Sequence, residues 1–196
     1  NLSNTIVIHT EDKNLVKELF EKISSSSSEI SGAAYVPEEP QDENYNHNKE
    51  MIFKFNDLNS KGSFLALRVE GDKASIEERN KALTKELELN KLNISILDVH
   101  QSVPFWKKIN NLELFAETKN NLLRAVVPPS KGNELMQKLG NKYKYYIDWC
   151  GSLYWVEVQS KNNMKITEIK KLIKELDGYL TIVKKSSNYD YEETIF

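Results

Sequence analysis

The chain has a single cysteine, Cys150, in 196 residues, and one thiol cannot close an internal disulfide. Stabilisation by cross-links is excluded, and a reducing, cytoplasmic setting is expected. Glycine is sparse: seven residues are scattered singly, and none opens a helix with the spacing of a P-loop or dinucleotide loop. The chain should not hold a nucleotide by that route. The three histidines, His9, His47 and His100, lie far apart and outside any Ser or Cys motif. A nucleophilic triad is therefore unsupported, and no metal site is expected. An excess of charge is also lacking. Lys and Arg total 27 against 29 Asp and Glu, a net charge of −2, so there is no basic field to gather nucleic acid or anionic membrane. No apolar run reaches the ~20 residues of a spanning helix, and no charged-then-apolar leader precedes the first strand. The sequence starts at Asn1 rather than Met, which leads us to expect a fragment with further motifs upstream.

What is present is an ordinary globular composition, 39% hydrophobic and 29% charged, enough for one sizeable core or two small ones. Its densest stretch is 145–158, Tyr-Tyr-Ile-Asp-Trp-Cys-Gly-Ser-Leu-Tyr-Trp-Val-Glu-Val, which holds two of the three tryptophans. Aromatic and β-branched residues on either side of Cys-Gly-Ser predict a hairpin, with Gly151 supplying the positive φ of its turn. Alternation puts Tyr145, Ile147 and Trp149 on one face and Tyr146 and Asp148 on the other; Tyr154, Val156 and Val158 then alternate with Leu153, Trp155 and Glu157.

Upstream, residues 4–9 read as a strand, and Thr10 is expected to cap a helix carrying Leu15, Val16, Leu19, Phe20 and Ile23. The serine run 24–28 ends it, as a solvated linker or a phosphorylation target. Residues 32–36 are a short strand, 38–50 a long exposed loop, 51–55 an alternating segment and 63–70 a strand. Ser75 and Glu78 have the spacing of a capping box for a helix reaching Leu89, and 93–97 closes this part. A short helix over 102–109, with Pro104 in its first turn, links to a second series. That series comprises strand 122–127, helix 130–139 ended at Gly140, the hairpin, helix 166–176 stopped by Asp177-Gly178, and strand 179–184.

Each half thus reads strand, helix, strand, strand, helix, strand. The predicted class is α+β, with tandem ferredoxin-like (βαββαβ) units over 1–99 and 121–196 joined by a linker helix in 100–120. The sheet should be antiparallel, with helices packed on one face and the other face free for a partner or ligand.

The candidate site residues lie in the second half. Arg124 alternates with Leu123 and Ala125, so it should point to the free face, where it either binds a carboxylate through two parallel hydrogen bonds or pairs with Asp148 across strands. The ion pair is the preferred reading. Trp149 and Trp155 either fill the core or line a cofactor, with core the preferred reading. Lys184 ends the last strand. Cys150 has no cationic neighbour in sequence to activate it. An aromatic-rich sheet also raises nucleic-acid binding, which the balanced charge argues against.

Longer motifs point to a family. Phe105-Trp106, the run Leu122-Leu123-Arg124-Ala125-Val126-Val127-Pro128-Pro129, the run Ile147-Asp148-Trp149-Cys150-Gly151-Ser152-Leu153-Tyr154-Trp155, Leu180-Thr181-Ile182-Val183-Lys184 and Ile195-Phe196 follow one another in this sequence. In order and spacing they resemble the C-terminal part of the FAD-binding E subunit of bacterial glycolate oxidases, in the FAD-linked oxidase family. Leu65-Ala66-Leu67-Arg68-Val69-Glu70-Gly71 and the helix with Glu78-Arg79 extend the resemblance to most of the chain. Where the family has Trp, Gly, Arg and His, this chain has Leu123, Cys150, Tyr154 and Tyr179. Arg124, Asp148, Trp149 and Trp155 match.

The resemblance implies an upstream FAD-binding domain that holds most of the cofactor, with this chain folded over the flavin or mediating assembly. It implies as partners a catalytic flavin subunit and an iron-sulfur subunit, in a complex that oxidises glycolate to glyoxylate at the cytoplasmic side of the inner membrane. It also makes Arg124, Asp148, Trp149, Tyr154, Trp155 and Lys184 the residues facing cofactor or substrate. The isolated chain is expected to be inactive. The alternative is a stand-alone tandem ferredoxin-like module that binds a ligand or assembles, without redox activity.

Overall fold

The computed structural model describes residues 2–55, 58, 60–159 and 163–187; the matched Ile195 and Phe196 lie outside them. The strands are β1 (Leu2–His9), β2 (Ile30–Val36), β3 (Phe64–Gly71), β4 (Ile94–Leu97), β5 (Asn121–Val126), β6 (Lys144–Asp148), β7 (Leu153–Val158) and β8 (Tyr179–Lys184). They form one antiparallel sheet in the order β4-β1-β3-β2-β6-β7-β5-β8. The helices are α1 (Lys13–Ser25), α2 (Lys49–Ile52), α3 (Lys73–Glu86), α4 (Val99–Asn110), α5 (Pro129–Leu139) and α6 (Asn163–Glu175). None is long and apolar enough to cross a membrane. The strand order of the second half is the mirror image of the first. β1 and β3 run in register from Leu2 opposite Gly71 to His9 opposite Phe64. The halves meet at β2 and β6, where one pair, Tyr35 and Ile147, stands in register.

Three helices start at aspartates, two of them where a hydroxyl is expected. Thr10 does not cap α1; its hydroxyl accepts the Asp12 N–H at 3.1 Å, and Asp12 accepts from Asn14 and Leu15 N–H. The capping box at Ser75 gives way to Asp72, which accepts from both Ser75 N–H and Ser75 Oγ. A carboxylate at the positive end of a helix dipole outcompetes a hydroxyl for the same N–H groups. Asp98 likewise starts α4 three residues earlier than expected. Pro104 is therefore inside the helix rather than in its first turn, and without an N–H it cannot bond the carbonyl of His100 four residues back.

One face of the sheet carries α1, α3, α5 and α6. Val16, Leu19, Phe20 and Ile23 of α1, Leu83 of α3, Leu135 and Met136 of α5, and Ile169 and Ile173 of α6 share a core with strand residues of both halves. The other face is not free along its whole length, which corrects the expectation that all helices pack on one face. Phe105, Trp106 and Ile109 of α4 cover Val7, Ala34, Val36, Phe64 and Ala66, and Leu114 and Phe115 extend the cover to Leu122 and Tyr146.

The described residues of the connection 37–63 pack on this face as well. It is neither a fully exposed loop nor, at 51–55, a strand: Tyr45 and Phe53 are buried, and the chain turns through α2. Phe53 sits edge-on to Phe64 with ring centroids 5.5 Å apart and lies 5.4 Å from Phe105. That aromatic contact, with no neighbouring strand to join, accounts for the departure from the local alternation. Buried lysines fasten the segment. Lys49 donates to the Pro37 and Gly62 carbonyls at 2.8 and 2.6 Å, and Lys144 of β6 donates to the Asn46 carbonyl and to Asn48 Oδ1 and pairs with Glu39 at 2.8 Å.

Candidate functional site

The cover ends before β8. Leu180 and Ile182 pack against the helix-side core, so alternation turns Tyr179 and Thr181 to the opposite face, and the register shifts before Lys184. Tyr179 and Thr181 are both exposed there, Tyr179 at 81%. Arg124 of β5 faces the same side, in register with Trp155 of β7 and with Thr181 of β8.

The hairpin turn positions the remaining aromatic residue. Asp148 accepts the Trp149 N–H at 2.8 Å, and a single tight turn, Trp149–Gly151, leads into β7. Gly151 is not alone in the left-handed region. Its φ of 95° follows 51° at Trp149 and 52° at Cys150, and each non-glycine residue held there costs about 1 to 2 kcal/mol. The turn takes Trp149 out of the strand alternation. It is 56% exposed instead of packing in the core beside Tyr145 and Ile147, which corrects the core reading. The Arg124 guanidinium lies 5.4 Å from the centroid of the Trp149 ring and 6.0 Å from that of half-buried Trp155.

The structure thus brings together Arg124, Trp149 and Trp155, with Asp148 at the base of the turn. The expected ion pair between Arg124 and Asp148 is not among the salt bridges of the described residues. Burial raises the Asp148 carboxyl above its usual value, and the hydrogen bond from Trp149 N–H offsets part of that.

Tyr154 and Lys184 do not join them. Tyr154 is buried on the helix side and donates its hydroxyl to the Gly132 carbonyl at 2.6 Å. A Cβ at Gly132 would meet the Gly151 carbonyl oxygen at 2.1 Å, so α5 and the hairpin turn touch backbone to backbone. Lys184 stands opposite Leu122 and donates to the Thr118 carbonyl.

The sequence reading also missed a cavity of about 300 Å³ where β2 and β6 meet. Gly32, Arg68, Trp106, Asn110, Asp148 and Trp149 are among its lining residues, and a Cβ at Gly32 would press on the Trp106 ring at 3.1 Å. Tyr179 and Thr181 could have been assigned to the face from the alternation of β8. Asn110 and Trp106 could not, because only the path of α4 brings them there. Cys150 lines this cavity and another of about 320 Å³ between α1 and α5. Burial and then Asp148 raise its thiol, which keeps it protonated and a poor nucleophile.

Three of the described helix starts are closed to a dinucleotide. Asp12, Asp72 and Asp98 already occupy the first N–H groups of α1, α3 and α4, and their charge repels a diphosphate. α5 opens on Pro128 and Pro129, which have no N–H to offer. What does fit the uncovered face is one side of a flat group held from elsewhere, resting on two indoles and a guanidinium. The chain matches no protein-family model and no curated protein.

Proposed function

We propose that this chain is the C-terminal, non-nucleotide-binding domain of a FAD-binding subunit in a glycolate-oxidising complex, built of tandem ferredoxin-like units and set over a flavin or against a neighbouring subunit. The observation that carries this reading is the uncovered end of the sheet. Three of the four residues that match the family motifs there, Arg124, Trp149 and Trp155, gather on it, and the fourth, Asp148, holds the turn. Exposed tryptophan and tyrosine beside an arginine are the side chains that anchor interfaces. The aspartates at the starts of α1, α3 and α4 support an arrangement in which an upstream domain holds the FAD and this chain supplies only a wall. When bound, the flavin supplies the redox chemistry; the chain's own residues pack against it and exclude water. The partners would be that upstream domain, a catalytic flavin subunit and an iron-sulfur subunit, at the cytoplasmic side of the inner membrane.

The expected outcome of titrating FAD into residues 1–196 while following flavin fluorescence is weak binding or none. Sub-micromolar affinity would refute the assignment of the cofactor to an upstream domain. A second reading, a stand-alone tandem ferredoxin-like module that binds a ligand or assembles without redox activity, draws on the cavity between β2 and β6. It wins if the native reading frame opens near residue 1 and the purified protein carries no flavin.

A further inference from the structure

We propose that Arg124, Trp149 and Trp155 form a seat for a small, planar, singly charged carboxylate. The proposal concerns the face discussed above but does not depend on flavin. The chain has three arginines. Arg68 pairs with Glu70 at 2.9 Å and donates to Ser3, and Arg79 pairs with Glu29 and donates to the Glu70 carbonyl. Arg124 has neither kind of partner among the described residues; its neighbours are the two indole rings. Contact through ring faces leaves the in-plane N–H donors of a guanidinium unused. A half-buried cation with its fork of donors unspent is poised for an acceptor from outside, and a carboxylate matches that fork with two parallel hydrogen bonds.

The backbone supports the same inference. A bulky residue at φ 51° followed by another at 52° is strain of the kind that persists where surrounding structure enforces it. Here the Asp148 carboxylate and the contact between Gly132 and Gly151 fix the turn, and the result is an exposed indole beside the free guanidinium. Two flat walls favour a flat body attached to the carboxylate. Thr181, opposite Arg124 on the edge strand, adds a hydroxyl on the far side. Asp148 at the base of the turn makes a monoanion a better guest than phosphate dianion.

The test uses ¹⁵N-labelled chain and its three indole N–H signals. Benzoate should move the Trp149 and Trp155 signals saturably and leave that of Trp106 in place, since its Nε1 is buried and donates to Thr5 at 2.8 Å. Benzamide, nearly the same shape without the charge, should bind at least tenfold more weakly, and phosphate no better than benzamide. Arg124→Gln should weaken benzoate at least tenfold while the unmoved Trp106 signal reports an intact fold. The proposal is overturned if benzoate shifts no signal, if benzamide matches it, or if Arg124→Gln binds it unchanged. The benzamide comparison decides the matter on the unaltered chain even where the variant fails to fold. Because no flavin is present, failure here is distinct from failure of the flavin reading, which the FAD titration addresses.

Discussion

At the scale of single residues, the least expected feature is a pair of buried lysines, Lys49 within the connection 37–63 and Lys144 against it. Lys49 is 1% exposed. Its ammonium is held by two carbonyls and lies 5.2 Å from the centroid of the Phe64 ring, and burial lowers its pKa from 10.5 to about 8, with Glu39 opposing. Below about pH 8 both folded and unfolded chains carry this proton, and the cost of burying the charge is fully present. Between about pH 8 and 10.5 the unfolded chain holds more protons at this position than the folded one, so stability from this group rises with pH. Raising the pH from 7.5 to 9.5 should therefore stabilise the natural chain relative to Lys49→Met by about 1 to 2 kcal/mol. Urea unfolding of both proteins at the two pH values checks this, and parallel pH dependences would refute it. None of this was legible in the sequence, where Lys49 sits in a polar stretch without periodicity; burial came from Tyr45 and Phe53 on either side, which draw the segment onto the sheet.

At the scale of elements, strands and helices with clear periodicity were legible and their ends were not. The period of α1 fixed which side chains face the core, but Asp12 rather than Thr10 set its start, because a carboxylate binds the helix N–H groups more strongly. The hairpin was legible as two strands and a turn. The position of Trp149 was not, since alternation assumes the strand continues and three successive left-handed residues stop it. That turn depends on its contact with α5. Gly132→Ala should lower stability by about 3 kcal/mol, because a methyl group 2.1 Å from the Gly151 oxygen forces the helix and turn apart. Gly62→Ala is the control: its Cβ would meet only the Glu11 side chain at 3.7 Å, and a change within about 0.5 kcal/mol is expected. Thermal melts of the two variants against the parent decide it, and equal losses would refute the backbone contact as the cause.

At the scale of the whole molecule, the α+β class and the antiparallel sheet followed from the repeated element order, whereas the uneven cover of the second face did not. The cover depends on connection length. Between β2 and β3 the chain spends residues 37–63 and packs Phe53 and Leu58 of them on the sheet, while between β6 and β7 a single tight turn suffices, and the sheet beyond it stays bare. The core beneath α1, α3, α5 and α6 is continuous across both halves, so the chain should unfold in one cooperative transition. Tryptophan fluorescence, which reports α4 and the second half, and far-ultraviolet circular dichroism, which reports both halves, should share one denaturation midpoint. Separate midpoints would mean that the halves fold independently.

The strand order has a further consequence. Numbered within each half it runs 4-1-3-2 and then 2-3-1-4, a palindrome about the junction of β2 and β6, and that junction is antiparallel. Such an order is what two identical pieces would produce if they met through their second strands about a two-fold axis perpendicular to the sheet. Either piece, severed from the other, would expose a strand edge able to recruit its own duplicate. The covalent tether through α4 raises the local concentration of the dissimilar piece and so favours the mixed pairing.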